Sequence, residues 1–379
     1  MKIKVSSSDL VSMLKIATKV FEARDDSSFV YLKVDGERLH VVSRCQSAFF
    51  SGSVEVTNVE IEENEANIYY VDGDVLKRLS GIFPAVPTKL EFEVNKDSRV
   101  FVIKYTGNKF KLQIVRDTQE VPKPKIAPLG MVQGTEFMTV LNSLLKIVDN
   151  NPDAQEHPSS CLHLVFSKDK MKSMATDRFA LAELTKEFSG DDSLEDEELF
   201  LLKHPQASLL SKVSGPAEVL QLVSSPEYFG YIDGNGNLAL VGRTDLDPLQ
   251  YQPIKDMASN AENSIVLEIA DLKDALSTIS KLSAVNDSII ITVDKDEQTC
   301  KTSSIAGDEI IIPVRDVNID ESITVNFTRS VLQEALIPVD TDDARLEWGS
   351  SDARIYRLVP INNGVDEEGI FIGVVPNVE

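Results

Sequence analysis

Four histidines and three cysteines are the residues of this 379-residue chain best suited to nucleophilic, acid–base or metal chemistry, and their spacing assembles none of it. His40, His157, His163 and His204 share no ligand spacing with cysteines or carboxylates. Cys45, Cys161 and Cys300 are far apart and odd in number, which fits buried apolar thiols in a reduced, cytoplasmic compartment. There is no P-loop, no dinucleotide fingerprint and no nucleophile elbow. The acid pairs Asp191-Asp192 and Asp342-Asp343 read as solvated loop. The turn Asp233-Gly234-Asn235-Gly236-Asn237 imitates the start of a calcium loop but lacks its later glutamate and flanking helices, so it reads as a hairpin turn. The residues predict a binding or structural protein that is not an enzyme, with no catalytic residue, cofactor or metal.

Bases, by contrast, recur in a pattern. Lys15 and Lys19 stand one turn apart, opposite the apolar stripe of Leu10 and Leu14, with Ser8 and Ser12 on the same face. Lys77 and Arg78 share a second helix. A third offers Lys146 with Thr139, Asn142 and Ser143; Lys203 and Lys212 bracket a fourth; Lys273 and Lys281 lie two turns apart on a fifth. A sixth is weaker, with Arg329 at its start and Glu334 inside. Surface helices commonly carry lysines, so the recurrence at equivalent positions is what points to a shared basic lining.

The elements that must position these bases repeat along the chain. An extended apolar stretch followed by an amphipathic helix opens at Ile3, Ile68, Met131, Leu199, Ile265 and Ile323, and short alternating strands with tight turns follow each helix. Helices are predicted near 8–22, 74–82, 135–148, 205–213, 271–284 and 330–337, with inward stripes such as Phe137, Leu141, Leu144 and Val148. Asp35-Gly36, Lys96-Asp97 and Gly107-Asn108 mark hairpins. Proline-rich 118–129 and polar 252–263 interrupt the pattern and read as linkers. The expectation is an α+β chain of three tandem domains, 1–117, 130–251 and 264–379, each with two strand–helix–strands repeats.

Charge opposes a simple nucleic-acid reading. The chain carries 38 basic and 61 acidic residues, a net of −23, whereas proteins that adsorb to DNA are normally basic. Segregation of the bases onto one face would reverse that expectation. The acidic loop Glu187–Glu198 reads as an inert solvated insertion. The opening MKIKVSSSDL lacks the apolar stretch of a secretory signal, and no apolar run approaches a membrane span.

Three motifs add a resemblance. Ala175-Thr176-Asp177-Arg178-Phe179-Ala180-Leu181-Ala182 resembles the Ala-Thr-Asp-Gly-His-Arg-Leu-Ala of bacterial DNA polymerase III beta sliding clamps. Phe327-Thr328-Arg329-Ser330-Val331-Leu332-Gln333-Glu334-Ala335-Leu336 is similar to their Phe-Asn-Ala-Arg-Tyr-Leu-Leu-Asp-Ala-Leu, and Ile372-Gly373-Val374-Val375-Pro376 to their Tyr-Val-Val-Met-Pro. The resemblance spans the chain and implies the DNA-clamp fold, a replication processivity factor closed as a head-to-tail homodimeric ring of six domains around double-stranded DNA. It also implies a replicative polymerase and a clamp loader as partners, in the cytoplasm. Lys15, Lys19, Arg24, Lys77, Arg78, Lys146, Lys203, Lys212, Lys273 and Lys281 become the expected bore residues. A partner-peptide pocket between the middle and last domains would comprise Thr176, Arg178, Phe179, Leu181, Pro248, Val331, Val374, Val375 and Pro376. Arg178-Phe179-Ala180 in place of Gly-His-Arg, and Val331 in place of an aromatic, imply a divergent pocket, suited to a phage-encoded or lineage-specific member. A protein-only repeat scaffold is the alternative reading.

Overall fold

The helical periodicities become α1 (Ser7–Val20), α2 (Gly73–Ile82), α3 (Gly134–Leu144), α4 (His204–Val213), α6 (Ile269–Leu282) and α7 (Arg329–Ala335), and a further short helix, α5 (Gln252–Ala258), lies between α4 and α6 in the chain. This computed structural model describes residues 2–21, 28–60, 68–83, 89–95, 100–105, 107–116, 122–151, 153, 156–213, 218–258, 261–282, 287–349, 355–362, 365–366 and 370–377. The inward stripes hold: Leu10, Leu14 and Ala17 of α1, Phe137 and Leu141 of α3, and Leu272, Leu276 and Ile279 of α6 are all buried. Ser6 stands at the cap of α1, and its side chain caps nothing; its hydroxyl lies 2.9 Å from that of Ser8. The anticipated Lys96-Asp97 turn lies outside the described residues.

Two compact units form. The first comprises Met1–Thr135, Asp191–Ser193 and Pro205–Arg243, the second Glu136–Gly190, Leu194–His204 and Thr244–Glu379. The stretch read from the sequence as a middle domain contributes to both.

In the first unit the strands run in the order Lys2–Ser6, Lys89–Asn95, Val100–Tyr105, Asn108–Arg116, Ile68–Val71, Phe29–Asp35, Arg38–Cys45, Ala48–Glu60, Leu238–Gly242, Tyr228–Ile232, Val219–Ser224 and Ala127–Gln133; Lys2–Ser6 also pairs back onto Ala48–Glu60. Ala48–Glu60, a strand that the sequence reading did not assign, carries the small residues Ser51-Gly52-Ser53. It joins the first third of the chain to the middle third, pairing antiparallel with Leu238–Gly242 (Ser51 opposite Leu238, Ala48 opposite Val241). Gly52 has a reason: a Cβ there would lie 2.2 Å from the Met13 sulfur of α1 and 2.7 Å from Asn237 Oδ1. Tyr31, Val42, Phe49, Tyr70, Val223, Tyr228, Leu238 and Leu240 bury an apolar cluster across this junction.

The second unit repeats the device. Its larger sheet runs Glu198–Lys203, Cys161–Phe166, Lys170–Thr176, Ala180–Glu187, Ile370–Val374, Tyr356–Asn362, Asp343–Trp348, Asn263–Glu268 and Val314–Asn318; a second sheet runs Glu309–Ile312, Thr299–Ser304, Ser288–Asp294 and Ile323–Thr328. The junction here is Ala180–Glu187 against Ile370–Val374, with Ala180 opposite Val374. Met174, Leu181, Tyr251, Ala258 and Phe371 form the apolar cluster over it. Residues 252–263, anticipated as linker, therefore contain α5, and Lys255 of that helix pairs with Glu183 at 2.7 Å. Ala127–Gln133 likewise begins inside the other anticipated linker. Within the acidic loop, Phe188 and Leu194 are buried, so part of it is anchored to the fold.

The three cysteines are free and buried, and Asp233 holds a plain hairpin turn, its carboxylate accepting from the Asn235 and Asn237 amides. His163 is fully buried, its Nε2 donating to the Pro158 carbonyl at 3.1 Å and its ring edge-on to Tyr251; Nδ1 has no hydrogen-bond partner. Burial holds its pKa down at about 4, the Pro158 bond opposing in part. A folded-state pKa below the unfolded value means that the unfolded chain takes up the proton first as pH falls. Stability carried by neutral His163 is thus complete above about 6.5 and is lost between there and about 4, on the order of 3 kcal/mol. Thermal melts from pH 7 to pH 4.5 should show a steeper fall for the native chain than for His163→Phe, which keeps a ring against Tyr251 and cannot titrate.

Candidate functional site

Three helices of the first unit bring separated bases together. α1 packs against α2, where Phe21 at the end of α1 lies over Gly73; a Cβ on Gly73 would meet its ring at 2.6 Å. Asp72 caps α2 by accepting from the Val75 amide at 3.0 Å, satisfying a first-turn donor of the helix that carries Lys77. Lys15, Lys19, Lys77 and Lys212 then line one open depression of about 720 Å³, floored by Thr18, Ser80, Ser208 and Leu209. Lys19 Nζ donates to the Lys212 carbonyl at 2.5 Å, satisfying one of the open carbonyls at the α4 C-terminus, the end of a helix that favours a cation. The pKa of Lys19 is lowered, first by burial and then by the charges of Lys212 and Lys15. Like charges are thus held together, and a polyanion laid in the depression would relieve their repulsion.

The other expected bore residues stand as follows. Arg78 is exposed on α2 and its Nε donates to the Asp74 carbonyl at 3.4 Å, outside the depression lining. Arg24 lies outside the described residues. In the second unit Lys146 is exposed just after α3, in line with exposed Thr139 and Asn142. Lys203 pairs with Glu156 at 3.4 Å, and Lys273 Nζ lies 3.4 Å from the Val339 carbonyl; Lys281 is exposed in the last turn of α6.

A second constellation forms where Ala180–Glu187 meets Ile370–Val374, with α7 packed on both strands. Thr176, Leu181, Val331 and Val374 are buried there, Val375 and Pro376 half-buried, and Arg178, Phe179 and Pro248 exposed, Phe179 at 54%. The Val375 amide donates to the Phe179 carbonyl at 2.7 Å, tying the two motif segments together. Arg178 has φ +81°, the left-handed conformation that favours glycine, which is the residue the clamp motif places there. The loop enforces it. Thr176 Oγ1 donates to the Ala180 carbonyl at 2.6 Å and accepts from the Arg178 amide at 3.0 Å, while Asp177 Oδ1 accepts from the Phe179 and Ala180 amides. The Arg178 side chain is held in turn, its Nε 3.1 Å from Asp149 and 3.3 Å from the Ser159 hydroxyl.

Asp149, His157 and Ser159 lie side by side in this network without forming a catalytic relay. Ser159 donates to Asp149 at 3.2 Å and lies 2.8 Å from His157 Nδ1, so the carboxylate touches the hydroxyl and does not orient the imidazole. Burial raises the pKa of Asp177, and that of Glu334 on α7 is raised by burial and by Asp177 and Asp287. Among the described residues no group of three or more metal-ligating side chains converges. Among them, too, no helix is long and apolar enough to cross a membrane.

No protein-family profile and no curated protein matches the sequence. Solved structures do match in fold. The DNA polymerase sliding clamp of Bacillus subtilis superposes with a TM-score of 0.83 at 12% identity, covering 100% of this chain and 99% of that one. The Helicobacter pylori beta clamp bound to a DNA ligase peptide gives 0.82 at 16% identity, and a Pseudomonas aeruginosa sliding clamp bound to griselimycin 0.83 at 15%, each covering 100% of both chains. Across its full length this chain has the fold of the DNA polymerase III beta sliding clamps.

Proposed function

We propose that the protein is a sliding clamp: two copies close head to tail into a ring of six domains, 1–117, 130–251 and 264–379 from each, that encircles duplex DNA and tethers a replicative polymerase. The observation that carries this reading is the convergence of Lys15, Lys19, Lys77 and Lys212 in one depression of a chain with net charge −23. A closed ring needs no strong phosphate grip, only a weakly basic bore past which the duplex slides. The acidic remainder discourages adsorption to DNA from outside. Arg24, Arg78, Lys146, Lys203, Lys273 and Lys281 are the further bore positions of this reading, and the work of such a ring is mechanical, with no bond made or broken.

Loaded onto a nicked circular plasmid by a clamp loader, the protein should remain with the circle and be lost when the plasmid is linearised. No association with either form would favour the protein-only scaffold, and retention on linear DNA would mean adsorption in place of encirclement. For the bore itself, Lys15→Gln/Lys77→Gln/Lys212→Gln should weaken binding to a short duplex. The slope of log K against log salt should become shallower by about one for each lysine lost.

The constellation around Thr176, Leu181, Val331 and Val374 is the proposed partner-peptide pocket. Its likeness in fold to a clamp bound to a DNA ligase peptide supports that role. Arg178 and exposed Phe179 stand at its rim, so a peptide that fits bacterial clamps should bind this chain poorly. Arg178→Gly/Phe179→His should improve that binding about tenfold or more by calorimetry; equal micromolar affinity in both proteins would contradict the divergent-pocket reading. Thr176→Val removes two of the four hydrogen bonds that hold Arg178 left-handed and should cost about 1–3 kcal/mol in a denaturant melt.

A further inference from the structure

Arg178 keeps a long side chain on a backbone that suits glycine, the residue of the clamp motif at this position. The arginine of that motif, the third residue of Gly-His-Arg, is replaced by Ala180, which is buried on the strand opposite Val374. The positive charge has therefore moved from the strand to the rim of the pocket. It is fixed there at both ends. Thr176 and Asp177 hold the turn, and Nε lies 3.1 Å from Asp149 while donating to the Ser159 hydroxyl at 3.3 Å. Asp149 is itself held, accepting from Ser159 at 3.2 Å and from the Asn151 amide at 3.0 Å.

Nε alone is engaged. The two Nη atoms of Arg178 make no hydrogen bond among the described residues, and the side chain is 51% exposed. Its neighbour Phe179 is exposed too, whereas no other aromatic side chain is exposed among the described residues. The Phe179 backbone is as constrained as that of Arg178: its amide donates to Asp177 at 2.8 Å and its carbonyl accepts from the Val375 amide at 2.7 Å. An exposed guanidinium and an exposed ring at adjacent positions of one rigid turn are the residue types that carry binding energy in interfaces. Nearby acids restrict what that turn can receive. Glu334 on α7 feels the negative charges of Asp177 and Asp287, with Lys146 opposing them. A run of acidic residues would meet these like charges, whereas a single carboxylate delivered to the Nη edge would meet the arginine.

We propose that Arg178 is a specificity-determining residue of the partner-peptide pocket: its Nη atoms receive one acidic side chain of the partner segment, and Phe179 packs on an aromatic residue beside that acid. The inference rests on the pocket reading above and adds the chemistry of the partner. A planar guanidinium matches a carboxylate in a two-point contact that a lysine cannot reproduce. Because the turn and the arginine are ordered in the free protein, little freedom is lost on binding.

The test uses the full chain and two fluorescein-labelled peptides, each amidated at its C-terminus: Gly-Ser-Leu-Glu-Phe-Leu-Ser-Gly and the same peptide with Gln for Glu. The native protein should bind the Glu peptide about tenfold more tightly than the Gln peptide. Arg178→Gly, which adopts the left-handed turn freely, should bind the two equally, and Arg178→Lys should keep only part of the preference. Phe179→Ala should weaken both peptides and leave their ratio unchanged. Equal binding of the two peptides by the native protein, or a preference that survives in Arg178→Gly, would overturn the proposal and leave the pocket in place. Failure of the native protein to bind either peptide would overturn the pocket reading and this inference with it.

Discussion

The architecture depends on two main-chain junctions, Ala48–Glu60 against Leu238–Gly242 and Ala180–Glu187 against Ile370–Val374. Each joins stretches of chain well over a hundred residues apart, and each is a run of antiparallel backbone hydrogen bonds covered by an apolar cluster. Backbone pairing asks little of side-chain identity beyond alternation and buried volume. That tolerance accounts for a fold retained at 12% to 16% identity. Where the junctions do constrain side chains, the demand is local: Gly52 because Met13 and Asn237 crowd it, and Thr176 and Asp177 because they hold a left-handed Arg178.

Charge follows a division of labour along the chain. Residues 1–117 contain seventeen bases and seventeen acids, so the whole net charge of −23 resides in 118–379. Three of the four lysines in the helical depression, and Lys4, Lys89, Lys104 and Lys109 of a second depression, belong to the neutral third. The lowered pKa of Lys19 and the apposition of Lys104 with Lys109 show the cost of such crowding. The structure thus gathers lysines into two depressions of a protein that is otherwise acidic.

Much of this was legible in the sequence. The stripes Leu10–Leu14, Phe137–Leu141 and Leu272–Leu276 identify helices because burial on a 3.6-residue period leaves an unmistakable trace. Ala48–Glu60 escaped because its small central residues serve a close approach rather than a sheet face. Helix α5 escaped because seven residues are too few for periodicity. That Lys15, Lys77 and Lys212 share one surface is a tertiary fact, which recurrence on helices suggested and spacing alone did not decide. The glycine expected at Arg178 was a readable signal of positive φ, whereas the Asp149 and Ser159 contacts that secure the arginine there were not.

Ring closure by two copies is the central claim, and solution mass with shape tests it most directly. Light scattering coupled to small-angle X-ray scattering should give a mass near twice 41.9 kDa and the profile of a hollow ring. A compact or elongated monomer at micromolar concentration would contradict a ring that is closed in the absence of DNA.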